Sequence, residues 1–172
     1  MKIITYIQLC FISLLLLSLE SLANTTPDDN YTIYLVRHAE KIAGGKDPAL
    51  TSCGMKRATQ LATILKQAKI KQIYSTQTLR TQQTAAPLAT QLNLQVTAYS
   101  AKDLASFAQQ VKNTKTNTLI VGHSNTTPQL TALIANTPVA DITEAEYQML
   151  YQVQFHGENT QLTLLKQPLS CQ

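Results

Sequence analysis

A chain of 172 residues, 44% hydrophobic and 14% charged, is long enough to bury one proper core and too short for two. Its formal net charge of +4 comes without a Lys/Arg run or interleaved aromatics, which speaks against a nucleic-acid surface and fits an anionic small ligand. Many Gln, Thr and Asn residues leave the surface polar but sparsely charged.

Residues 1–23 have the three parts of a secretory signal. Lys2 gives a positive start, Ile7 to Leu19 is almost wholly apolar, and Ser21-Leu22-Ala23 is a small-x-small site with cleavage expected after Ala23. The apolar stretch is short for a full span, so the expectation is an exported, periplasmic protein with no membrane attachment once the leader is gone. Cys10 lacks the small residues that precede a lipidated cysteine. Cleavage removes Lys2 and Glu20 together and leaves the net charge unchanged. Cys53 and Cys171 would then remain in an oxidising compartment, where a bridge can persist. Neither has the spacing of a metal or redox motif; a disulfide between them is favoured over two free thiols, and no catalytic role follows.

Residues 24–30 are polar, contain Pro27 and two aspartates, and form a short tether; residues 31–172 make the domain. Ile33 to Val36 is a continuous apolar run, the mark of a strand buried on both faces. Ala43 to Pro48 is a loop by its Gly and Pro content. Met55, Ala58, Leu61, Ala62 and Leu65 then recur at helical spacing behind Thr51 or Ser52 as cap. Ile70 to Tyr74 is a short strand. Leu79 to Leu92 is a helix that Pro87 should end or kink unless it opens a new first turn. Leu94 to Thr97 is a third strand, Leu104 to Val111 a third helix, and Thr118 to Gly122 a second doubly buried strand. Pro128 sits in the first turn of a last helix, where it loses nothing, and Leu130, Leu133 and Ile134 face the core from it. Met149 to Phe155 and Gln161 to Leu165 alternate around His156-Gly157-Glu158-Asn159, a hairpin signal. The order β-α-β-α-β-α-β-α plus hairpin predicts a three-layer α/β/α domain, its sheet largely parallel with an antiparallel edge.

Chemistry gathers where strands end. Two apolar strands stop in histidine, Val36-Arg37-His38 and Val121-Gly122-His123, and the carboxyl edge of a parallel sheet is where ligands sit. Arg80 follows the second strand directly, in the first turns of its helix. Imidazole beside fixed guanidinium suits a phosphate.

Three motifs carry a family resemblance. Leu35-Val36-Arg37-His38-Ala39-Glu40-Lys41 resembles the Arg-His-Gly signature of the histidine phosphatase superfamily, also called phosphoglycerate mutase-like. Ser75-Thr76-Gln77-Thr78-Leu79-Arg80-Thr81-Gln82-Gln83-Thr84-Ala85 resembles its second motif, and Val121-Gly122-His123-Ser124-Asn125 its third. The resemblance implies that His38 is a nucleophile forming a phosphohistidine, and that Arg37, Arg80 and His123 bind the phosphoryl oxygens. It also implies a reaction without metal or other cofactor. The physical logic agrees: phosphoryl transfer needs an in-line nucleophile and neutralisation of charge on the equatorial oxygens, and passing through histidine is covalent catalysis.

The sequence departs from the family pattern twice. Ala39 stands where glycine is usual, tolerable if that backbone has negative φ. Many members have a glutamate after the second motif to protonate the leaving group; Gln95 to Phe107 contains only Asp103. Asp103 is the candidate acid, and the N-cap of the Leu104 helix is an equal reading. Glu40 and Asp47 are further candidates. Ser124 and Asn125 suit either phosphate or a turn, His156 an exposed hairpin, and Tyr147 and Tyr151 the packing of the sheet.

The expectation is a metal-independent phosphatase acting on a small phosphomonoester or phosphoramidate, with a protein-phosphohistidine phosphatase or a non-catalytic phosphate-binding envelope protein as alternatives. Oligomeric state is not legible.

Overall fold

The computed structural model describes residues 30–170; the leader, most of the tether and Cys171 lie outside the described residues. Six strands form one sheet in the order β3-β2-β4-β1-β5-β6. They are β1 (Asn30–Arg37), β2 (Gln72–Ser75), β3 (Val96–Ala98), β4 (Thr118–Gly122), β5 (Met149–His156) and β6 (Asn159–Lys166). The helices are α1 (Ser52–Leu65), α2 (Leu79–Leu92), α3 (Leu104–Thr114) and α4 (Thr126–Ala135). β1, β4, β2 and β3 are mutually parallel; β5 runs antiparallel to β1 and β6 antiparallel to β5. The expected architecture is the one observed.

Alternation along the strands splits the core in two. On one face Ile33, Leu35 and Ile120 pack with Phe107 and Val111 of α3 and Leu130 and Ile134 of α4. On the other, Val36, Leu119 and Val121 pack with Leu61 and Leu65 of α1 and Leu88 of α2. β1 and β4 lie at the centre and are covered on both sides, which is why they read as unbroken apolar runs.

The register of these two strands builds the site. Val36 pairs with Val121 and Arg37 with Gly122, and the His38 amide donates to the Gly122 carbonyl at 2.9 Å. The residues one step beyond each strand, His38 and His123, therefore emerge side by side.

Local chemistry matches the caps. Thr51 Oγ1 accepts from the Gly54 amide at the start of α1, and Asp103 Oδ1 accepts from the Ser106 amide at the start of α3. Gly54 is required by close approach: a Cβ there would lie 2.2 Å from the Glu40 carbonyl oxygen. Cys53 is disulfide-bonded, to a partner outside the described residues. Two expectations need correcting: Leu133, expected on the core face of α4, is exposed, and α2, with the expected bounds Leu79–Leu92, does not end at Pro87. Pro87 and Gln83 are only half-buried, so water can reach the carbonyl that loses its amide partner, and the packing of Leu88 and Ala89 holds the last turns. β2 also begins later than expected, at Gln72; Ile70 packs into the core ahead of it.

Candidate active site

A hollow at the carboxyl edge of the sheet is lined by His38, Lys41, Thr78, Arg80, His123, Ser124, Asn125 and Glu144. The two imidazoles meet edge-on with centroids 5.5 Å apart. Both are desolvated.

Hydrogen bonds fix the tautomers. His38 Nδ1 lies 2.8 Å from the Ala39 carbonyl oxygen; a carbonyl only accepts, so Nδ1 carries the proton and Nε2 keeps its lone pair. In His123 the order is reversed. Arg80 Nη2 lies 3.4 Å from His123 Nδ1, and a guanidinium only donates, so Nε2 is the protonated nitrogen and donates to Thr76 Oγ1 at 2.8 Å. The site thus presents one nucleophilic nitrogen, on His38.

Electrostatics hold both rings neutral. Burial, then the charges of Arg37, Arg80 and His123, push the His38 pKa down to about 4, against a smaller upward pull from the Ala39 carbonyl. Burial, then Arg80 and Arg37, take His123 to about 4 as well, opposed by Asp47 and Glu144. A cation destabilises a second cation in a low-dielectric site.

The arginines differ in what they have left to offer. Arg37 is buried; its Nη1 donates to the carbonyls of Thr143, Glu144 and Glu146 at 3.0, 2.9 and 3.3 Å, and its Nη2 to Glu144 Oε2 at 2.6 Å. Its Nε is buried without a partner, and so is that of Arg80. Two guanidinium edges are thus free to receive an anion that buried donors require. Arg80 Nη1 also reaches Asp47 at 3.4 Å.

The expected acids are placed as follows. Glu40 is committed to Arg57, accepting from its Nε and Nη2 at 2.5–2.9 Å. Asp47 accepts from the Leu79 amide with both oxygens and so caps α2 from the first loop, where Thr78 makes no side-chain cap bond. Asp103 caps α3 and lines a neighbouring hollow with Tyr74, Tyr99 and Phe107. Ala39 donates its amide to Thr84 Oγ1 and is not among the described non-glycine residues of positive φ, so it stands there unstrained. His156 is exposed at the hairpin as expected, its Nδ1 near Asn30 Oδ1. Tyr151 packs the sheet, buried, but Tyr147 does not: it precedes β5 and lays its ring over the Arg37 guanidinium, 4.1 Å from Cζ to centroid. That reading of Tyr147 is corrected.

Sequence reasoning missed Glu144, and its signal is topological rather than local. Because β5 runs antiparallel to β1, with Leu150 opposite Val36, the segment before β5 must arrive where β1 ends. Glu144 and Tyr147 reach Arg37 for that reason. Among the described residues, no three His, Cys, Asp or Glu side chains group as a metal site would.

The Histidine phosphatase superfamily (branch 1) description matches residues 33–104, which hold Arg37, His38 and Arg80. No curated protein sequence matches the chain. Among solved structures, YhfR of Bacillus stearothermophilus superposes with a TM-score of 0.63 at 16% identity, covering 78% of this chain and 96% of that one. The protein histidine phosphatase SixA, complexed with tungstate, gives 0.63 at 18% identity over 78% and 96%. A mycobacterial glucosyl-3-phosphoglycerate phosphatase gives 0.62 at 14% identity over 82% and 100%. At these identities the likeness is one of fold, and the family description covers residues 33–104, fewer than half of the chain.

Proposed function

We propose that the protein hydrolyses a small phosphomonoester or phosphoramidate through a phosphohistidine on His38. In the first step Nε2 of His38 attacks phosphorus, the bond to the leaving group breaks, and its electron pair departs with that group. In the second, water attacks phosphorus, loses a proton to solvent, and the N–P bond returns its pair to Nε2. Arg37, Arg80 and His123 bind the equatorial oxygens, where positioning and charge neutralisation supply most of the rate. The observation that carries this reading is the bare, neutral Nε2 of His38 beside two buried guanidinium edges without partners. SixA, named as a protein histidine phosphatase, and the glucosyl-3-phosphoglycerate phosphatase bracket the substrate choice between P–N and P–O bonds. Glu144, the carboxylate in the His38 hollow, is held ionised by Ser124 and Arg37, and Asp103 is tied up as a cap. Substrates that need no proton from an enzyme acid are therefore favoured over alkyl phosphates: aryl phosphates, which expel a stable aryl oxide, and phosphoramidates, whose nitrogen takes its proton from solvent before it leaves. The leader read in residues 1–23 fits a periplasmic scavenging role.

The test is turnover of p-nitrophenyl phosphate in EDTA by the purified protein beside His38→Ala, with quenching in alkaline detergent to trap the phosphoenzyme. We expect sustained activity, an acid-labile and alkali-stable phosphoprotein, and loss of both in the variant. Equal rates for the two proteins overturn the proposal.

A further inference from the structure

Arg37 is occupied by an anion before any substrate arrives. Glu144 Oε2 accepts from its Nη2 at 2.6 Å, and Glu144 Oε1 accepts from the Ser124 hydroxyl. Glu144 lines the same hollow as His38, Arg80 and His123. Its partner is almost wholly buried while its own side chain is 76% exposed. A buried cation is expensive to leave unpaired, whereas an exposed carboxylate is free to swing into water.

We propose that Glu144 is an affinity-determining residue: its carboxylate occupies the Nη2 position of Arg37 in the empty site and competes with the incoming phosphoryl group for it. This rests on the phosphoryl-binding role assigned to Arg37 above.

The geometry favours displacement over a structural lock. The backbone of the 143–146 segment is held by Arg37 Nη1 through three carbonyls, and these bonds do not involve the Glu144 side chain. The segment therefore stays in place when the carboxylate leaves. Arg37 Nε, buried and without a partner, gives the phosphoryl group a first point of attachment, and the vacated Nη2 completes a two-point contact with it. Once released, the carboxylate still faces the bound dianion, so only ligands that bring enough charge to Arg37 and Arg80 displace it. Weakly charged anions do not. The same carboxylate is kept in its ionised form by the Ser124 hydroxyl and by Arg37, which makes it a competitor and not a proton donor in the empty site.

The experiment measures inorganic phosphate binding by calorimetry, and phosphate inhibition of p-nitrophenyl phosphate turnover, for the full chain and for Glu144→Ala and Glu144→Gln. Removing an exposed carboxylate from a charged pair should tighten phosphate binding about three- to tenfold in the alanine variant and less in the glutamine variant. The substituted side chain is exposed, so both variants should fold; thermal melts confirm it. Unchanged or weaker phosphate binding in both variants overturns the proposal, and so does a large fall in kcat confined to alkyl phosphates, which would make Glu144 a proton donor. Binding needs no turnover, so the two readings fail separately. Tightened binding with equal rates for the wild type and His38→Ala sinks only the phosphatase mechanism. Turnover through His38 with unchanged phosphate affinity sinks only the competitor. Absence of phosphate binding in every variant sinks both.

Discussion

Two buried arginines, twenty residues apart, hold opposite kinds of pair. Arg57 of α1 meets Glu40 with both Nε and Nη2, and its Nη2 also donates to the Leu169 carbonyl at 3.1 Å. Glu40 is itself largely covered, its side chain 16% exposed. Arg37 meets the Glu144 carboxylate through a single nitrogen, keeps one buried N–H without a partner, and that carboxylate stands in solvent. The first is closed and ties the loop after β1 to α1 and the chain's tail. The second is open and can exchange its anion. Burial of the arginine does not separate structural from functional pairs here; exposure of its partner does.

The largest effect should come from the closed pair. Arg57→Ala leaves the largely covered Glu40 carboxylate without its cation and removes one anchor of the tail, a loss of about 3–5 kcal/mol of stability. A urea titration followed by circular dichroism would show it, while kcat per folded molecule stays near the wild type. Arg37→Lys should behave the other way. Lysine keeps the charge but not the fork, so kcat/KM on p-nitrophenyl phosphate should fall about 10²–10³-fold, comparable to losing one donor to a developing anion. If Arg57→Ala abolished turnover in molecules shown to be folded, or Arg37→Lys left turnover intact, the contrast between the two pairs would collapse.

The next effect sharpens the contrast through pH. His38 and His123 lie beside Arg37 and Arg80 with pKa values lowered from 6.5 to about 4. Between those values the unfolded chain binds more protons than the folded one, so stability falls as pH drops through that window and is unaffected by these groups above it. Each ring contributes a slope of up to about 1.4 kcal/mol per pH unit. Thermal melts between pH 7 and pH 4 should show a steep decline that flattens in His38→Asn. Turnover should persist at pH 5, where an ordinary imidazole would be protonated and unable to attack, and disappear only as pH approaches 4. A profile falling with a midpoint near 6.5 would mean that neither burial nor the arginines bias the rings.

The nucleophile's frame was partly legible in the sequence; neither arginine pair was. Apolar runs ending in Arg37-His38 and Gly122-His123 foretold both the central strands and their shared edge, because doubly buried strands are continuous in hydrophobicity. Arg80 was legible from its place just after a strand. Glu144 and Tyr147 sit in a segment with no periodicity, and only the antiparallel pairing of β5 with β1 carries them to the site. Asp47 and Asp103 were visible as carboxylates in loops, but a loop carboxylate ahead of a helix serves its free amides as readily as it serves chemistry, and here both are engaged by amides. Pro87 misled because propensity treats a helix in isolation, whereas packing of α2 on the sheet outweighs one lost bond.

The smallest effect concerns what keeps the open pair open. Tyr147 lays its ring on the face of the Arg37 guanidinium and lies 6.0 Å from the His38 ring. The face contact stabilises the cation without using any of its N–H groups, so it compensates part of the desolvation of Arg37 while leaving Nε and Nη2 available to an anion. Glu40 gives Arg57 its compensation in the opposite way, by taking those N–H groups. Tyr147→Leu keeps apolar bulk but removes the quadrupole, and should weaken phosphate binding by about 0.5–2 kcal/mol, read as a raised KM with kcat little changed. Tyr147→Phe retains the ring and should stay close to the wild type. If the phenylalanine variant lost as much as the leucine one, the hydroxyl and not the ring face would be the working part, and the proposed division between N–H contacts and face contacts at Arg37 would be wrong.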